Sequence, residues 1–171
     1  MLTTIHTTFF KDRDRSINKR DQQKFSFQME PVFPTDLEVY CKTFNISFFT
    51  LKLQCIFCNN FATLTDLALF FEKKLSLIWK NKQCFTCCNR CLWLSAKYES
   101  ERYFQCACKM QDLHDLLNKP LDEILVRCYY CYALLDLPSK HDLIARDKQA
   151  CLVRGHWRAP CRSCLSREFW L

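Results

Sequence analysis

The chain has 171 residues, a formal charge of +7, 14 cysteines and a single glycine, Gly155. That length suits one or two small domains, and one glycine excludes a Gly-rich phosphate loop or a dinucleotide fingerprint. No apolar run reaches the roughly 18 residues of a membrane span and the N-terminus has no secretory h-region, so this many thiols point to metal ligands rather than disulfides.

Residues 1–28 hold six basic and three acidic residues and almost no apolar pattern. They read as a disordered leader. Met29 is expected to be the natural start, with the leader as an upstream in-frame extension. Apolar periodicity begins in "EPVFPTDLEVYCKTFNISFF", where Pro31 and Pro34 precede a helix over Thr35–Asn45, capped by Thr35 or Asp36. That helix is expected to place Leu37, Tyr40, Cys41, Phe44 and Phe48 on one side. "TLKLQC" alternates as a strand entering the pair Cys55/Cys58. Thr63 to Asp66 resembles a capping box. The spacing predicts a helix over 64–75 with Leu64, Leu67, Ala68, Phe71 and Leu75 on its buried stripe. "LSLIWK" and "QCFTC" read as short strands.

The octet "CFTCCNRC" then offers two overlapping pairs, Cys84/Cys87 and Cys88/Cys91. Behind it, residues 92–112 contain no Gly or Pro and predict a linker helix, with a break near Cys106. Pro120 closes the next helical stretch. "ILVRCYYC" repeats a strand and a knuckle, ending in Cys128/Cys131. A second capped helix is expected from Ser139 to Asp142 onward. "ACLVRGHWRAPC" predicts a hairpin turning at Gly155, followed by Cys161/Cys164 and a short C-terminal helix.

A shift of 73 residues resolves the octet. It carries Cys55, Cys58, Cys88 and Cys91 onto Cys128, Cys131, Cys161 and Cys164, while Cys84 and Cys87 fall on Trp157 and Pro160. It also carries Phe48 onto Leu121, Leu51 onto Ile124, Leu53 onto Val126 and Phe57 onto Tyr130. The chain is therefore read as an internal duplication. The fold class is α+β: two tandem zinc-binding modules, 29–91 and 113–165, joined by the linker helix 92–112, with a tail at 166–171. Each module reads C-x2-C, 29 residues, C-x2-C. Four thiolates in two close pairs suit tetrahedral Zn²⁺, two structural ions per chain, with iron as the alternative metal. Modules of this size are marginal without the metal. Cys41, Cys84, Cys87, Cys106, Cys108 and Cys151 are expected to be core or surface thiols, with Cys84/Cys87 as an alternative ligand pair. His114, His141 and His156 are expected at the surface or hydrogen-bonded.

The whole spacing, C-x2-C, 29, C-x2-C, 36, C-x2-C, 29, C-x2-C, resembles the papillomavirus early protein six, the small viral transforming zinc protein, across about residues 33–165. "FNISFFTLKLQCIFC", "KPLDEILVRCYYCYALLDL" and "LVRGHWRAPCRSC" look most like its gamma (cutaneous) branch. The resemblance implies an adaptor of the host nucleus and cytoplasm and no enzyme. It implies a groove between the modules and the linker helix that captures LxxLL helices of host proteins, a HECT ubiquitin ligase or Mastermind-like coactivators. Such capture in the family modulates transcription, apoptosis and innate immunity. Carried over by residue, the groove candidates are Ile56, Phe57, Leu75, Leu92, Arg127 and His156. The apolar ones would hold leucines, and Arg127 would pair with acidic peptide residues. The pro-apoptotic protein Bak and a homodimer are further partners of the kind the resemblance admits. The terminus Glu168-Phe-Trp-Leu171 lacks the Ser/Thr that class I PDZ domains read, so that binding is not expected. The alternative function is a zinc-dependent DNA-binding transcriptional regulator, suggested by Arg154, Arg158, Arg162 and Arg167. Thiol–disulfide catalysis is disfavoured, because zinc-bound thiolates are not free to react.

Overall fold

The computed structural model describes residues 33–168. The leader and the last three residues lie outside the described part, with the expectations that fall on them. Helix α1 spans Leu37–Phe44, and of the two expected caps Asp36 serves: its carboxylate accepts from the backbone N–H of Glu38 and Val39. Strand β1, Gln54–Cys55, is short, but the run leading into it alternates as expected, with Leu51 and Leu53 buried. Helix α2, Leu64–Glu72, opens on the full Thr63/Asp66 capping box. Strands β2, Ile78–Lys80, and β3, Gln83–Thr86, form a hairpin, and β1 joins β3 in parallel, giving the order β1-β3-β2.

The buried face of α2 differs from the sequence reading. Leu67 is buried as expected, but its buried neighbour is Phe70, while Ala68 is exposed and Leu64 and Phe71 are 46% and 50% exposed. Leu75 is buried too, but not as part of the helical stripe. The helix stops at Lys73, and Lys74 takes a left-handed φ of 51°, so Leu75 enters the core on a new path.

Helix α3, Asn89–Tyr103, ends nine residues before the predicted linker helix does. Residues 104–109 instead form strand β4, Phe104–Lys109, paired antiparallel with β6, Gln149–Val153. The open edge of β6 satisfies the backbone of 104–109, and the N–H of Arg154 donates to the carbonyl of Tyr103 at 2.9 Å, where the helix stops. A tertiary partner thus overrides local helix tendency at the break placed near Cys106. Helix α4, Leu113–Leu117, follows, and Asn118 terminates it in the left-handed conformation, ahead of Pro120. Strand β5, Val126–Cys128, pairs in parallel with β7, His156–Ala159, and the second sheet runs β4-β6-β7-β5. Helix α5, Leu137–Ala145, starts earlier than the predicted Ser139 start. Asp136 caps it by accepting from the N–H of Ser139, and Pro138 sits in the first turn, where its missing N–H costs nothing. The β6–β7 hairpin turns through Arg154 and Gly155, with φ of 52° and 76°, and helix α6, Arg162–Glu168, closes the described chain.

The duplication holds at the level of register. Gln54 pairs with Phe85 and Cys55 with Thr86; 73 residues on, Arg127 pairs with Arg158 and Cys128 with Ala159. Helices α2 and α5 occupy 64–72 and 137–145, also 73 apart. Each module has its own core. α3 spans both: Leu92 and Ala96 belong to the first core, while Trp93 packs on the second and stacks on Tyr130 at 6.1 Å. Tyr132, from the second module, is buried in the first core.

Candidate functional site

Parallel pairing of β1 with β3 brings Cys55 and Cys58 beside Cys88 and Cys91, and β5 with β7 repeats this for Cys128, Cys131, Cys161 and Cys164. Within each set the sulfurs all lie within 4.8 Å of one another. The Cys58–Cys88 and Cys131–Cys161 separations are 4.0 and 3.8 Å. Four sulfurs about 2.3 Å from one ion stand roughly 3.8 Å apart, so both sets match tetrahedral Zn²⁺. The N–H of Cys88 points at Cys55 Sγ at 3.4 Å and that of Cys161 at Cys128 Sγ at 3.3 Å, polarising the thiolates a cation would neutralise. All eight predicted ligands are thus assembled, and each set suits one structural zinc with no coordination position left for a substrate.

The other pair of the octet goes elsewhere. Cys84 and Cys87 are buried in the first core and belong to neither cluster. Burial pushes the Cys84 thiol up to about 12. Cys87 is raised by its hydrogen bond to Cys55 and then by burial. Cys41, Cys108 and Cys151 are half-buried, and Cys106 is exposed.

The six groove candidates fall into two groups. Ile56 and Phe57 are half-buried against the first core, in which Leu75 and Leu92 are buried at 5% and 3% exposure. Arg127 and His156 line one recess of about 290 Å³ beside β5 and β7. Arg127 also bridges the modules. Its guanidinium donates to the carbonyls of Lys73, Lys74 and Tyr132 at 3.0, 3.0 and 3.1 Å. It thereby caps the C-terminus of α2, where helix carbonyls lack intrahelical partners.

Sequence reasoning missed a buried polar cluster at the module interface. Glu99 on α3 accepts from the Tyr132 hydroxyl at 2.8 Å and lies 3.4 Å from Arg154 and 3.6 Å from Arg158. Glu99, Tyr132 and Arg158 are each 2% exposed, and the Arg158 guanidinium lies 4.7 Å over the Tyr132 ring. Burial first, and the Glu99 charge next, raise the Tyr132 phenol, so it stays a donor. The available signal was Glu99 on the same helical face as Leu92 and Ala96, where a lone carboxylate needs partners. The same cluster accounts for two of the four C-terminal arginines. A third, Arg162, donates to the Pro138 carbonyl at 3.2 Å. Among the described residues no helix is long and apolar enough to cross a membrane.

The Early Protein (E6) family matches residues 55–164, the span from the first zinc ligand to the last. The chain belongs to this viral protein family. It is similar to Protein E6 of Human papillomavirus type 48, 48% identical over 140 residues that cover 82% of this chain and 99% of that one. Protein E6 of Human papillomavirus 4 is 45% identical over 79% of this chain and 96% of its own length. Protein E6 of Human papillomavirus type 60 is 46% identical over 81% and 97%. As an E6 family member the chain is a viral regulatory protein built on two zinc modules, and its family interacts with host proteins.

Proposed function

We propose that this E6 family member is an adaptor that captures LxxLL helices of host proteins in the cleft framed by its two modules and α3. The observation that carries the reading is the meeting of Arg127 and His156 in one recess of the second module, with Arg127 bonded to the carbonyls that end α2 in the first. Ile56 and Phe57, half-buried against the first core that holds Leu75 and Leu92, would supply the apolar side. An amphipathic helix would lay its leucines there, with an acidic flank toward Arg127, whose orientation the α2 carbonyls preset. The acting compartments are the host nucleus and cytoplasm. The targets are a HECT ubiquitin ligase or Mastermind-like coactivators, with Bak and self-association as further interactions. The gamma-branch likeness favours the coactivators.

Fluorescence anisotropy against a panel of LxxLL peptides tests this. His156→Ala should weaken binding while both zinc ions are retained, and so should Arg127→Ala. Equal binding by wild type and both variants sinks the groove assignment. The DNA-binding alternative is disfavoured because Arg154, Arg158 and Arg162 have internal partners. Were it correct, DNA affinity would fall steeply with salt.

A further inference from the structure

The duplication has built the recess twice. A larger one, about 810 Å³, lies on the first module, and six of its lining positions sit 73 residues before six that line the Arg127/His156 recess. Phe44 corresponds to Leu117, Gln54 to Arg127 and Gln83 to His156. The chemistry has diverged. The Gln83 side chain donates to Gln54 Oε1 at 2.9 Å, so two neutral amides stand where the second module has Arg127 and His156. Lys52 and Lys82, both exposed, replace Leu125 and Gly155, and among the described residues no carboxylate lines the site. The walls are aromatic. The rings of Phe33 and Trp79 meet edge to face at 4.9 Å, Tyr40 and Phe44 lie at 4.7 Å, and Tyr40 approaches Trp79 at 5.9 Å. Phe33 and Phe44 each remain 42% exposed.

We propose that this recess is a second peptide site, which takes an acidic segment carrying one bulky apolar anchor. The reading of its twin as a capture site rests on the function proposed above. The anchor side chain seats among Phe33, Phe44 and Trp79, where aromatic faces bury apolar area without much loss of side-chain freedom. Acidic residues flanking the anchor meet Lys52 and Lys82. A cationic anchor, which aromatic walls also attract, is disfavoured by the two rim lysines. The chain then holds two ligands at once, one in the cleft and one on the first module, with the modules fixed to each other through α3. Two segments of one partner would bind with an avidity neither site has alone.

The full chain, titrated with a fluorescein-labelled peptide of Asp and Glu residues around a single Leu, tests the proposal. Binding should shift the Trp79 indole N–H signal, whose hydrogen goes to the Pro34 carbonyl, and should weaken with added salt. The Lys52→Glu/Lys82→Glu double variant, altered only at exposed positions, should keep two zinc ions, keep LxxLL binding and lose about tenfold or more in acidic-peptide affinity. Unchanged affinity in that variant overturns the proposal, as does full displacement of the acidic peptide by an LxxLL peptide. A Trp79 signal that responds only to deletion of residues 1–28 gives the recess to the chain's own leader. One that responds only to protein concentration gives it to a second copy. Either result also overturns the proposal. Loss of LxxLL capture with Trp79 binding intact would sink only the function proposed for the cleft.

Discussion

In the first module, α2 buries Leu67; in the second, the equivalent position of α5 is Lys140. Both are buried. Lys140 reaches the carbonyls of Leu121 and Ile124 with its Nζ at 2.8 and 2.7 Å, so an ammonium fills the place of an isobutyl group. Burial lowers its pKa. Strand register and helix limits match in the two modules, yet their surfaces do not. The first leaves Phe33, Phe44, Phe49, Phe61 and Phe71 exposed, and the second mainly leucines. The second also gains a fourth strand from the linker. The metal knot and the parallel pairing set the scaffold. The residues between cysteines are then free to diverge into different faces.

The largest way to break this comparison is to remove a metal from one half. Cys55→Ser and Cys128→Ser should each leave one zinc per chain by native mass spectrometry. Each should forfeit most of an apparent binding free energy of about 10 kcal/mol or more, unfolding the affected module. If the halves are coupled through Glu99 and Arg127, the second variant also loosens the first module, seen as lost protection of α2 amides in hydrogen exchange.

Next comes the interface. Glu99→Ala leaves Arg158 buried without its carboxylate and should cost about 3–5 kcal/mol in denaturant unfolding. The expected signature is a split of one cooperative transition into two. A loss below about 1 kcal/mol would mean that the modules do not depend on this cluster.

Smaller effects sharpen the contrast between the helices. Lys140→Met removes two donors from buried carbonyls and should destabilise the second module by about 1–3 kcal/mol. Leu67→Met, the matched change, should cost less than about 1.5 kcal/mol. Smallest is the capping pair: Asp136→Ala and Thr63→Ala should each cost about 1 kcal/mol. Thr63→Ala should cost the more of the two, because Asp66, the other half of the first box, also accepts from the N–H of Asn89 at 2.8 Å and ties α2 to the start of α3.

Much of this molecule could be read along the chain. The eight ligands, the duplication, the choice of Cys88/Cys91 over Cys84/Cys87 and the hairpin at Gly155 all follow from spacing, because metal geometry and tight turns are local demands with few solutions. The caps of α1 and α2 were legible for the same reason. The buried face of α2 was legible only at Leu67: Leu64, Ala68 and Phe71 fit a helical stripe as well as Phe70 does, and only the assembled first core, which Leu67 and Phe70 join, selects between them. The start of α5 was missed by reading Ser139, when Asp136 and Pro138 carried the stronger signal.

What the amino-acid sequence determined alone is where the two metals sit and that one module was copied, since cysteine spacing encodes both directly. Only the tertiary structure decided that 104–109 is a strand, that Arg127 holds α2 to the second module, and that Glu99 is buried between arginines. These depend on groups brought together across 30 residues or more of chain, and the free energy of such contacts is absent from any local window.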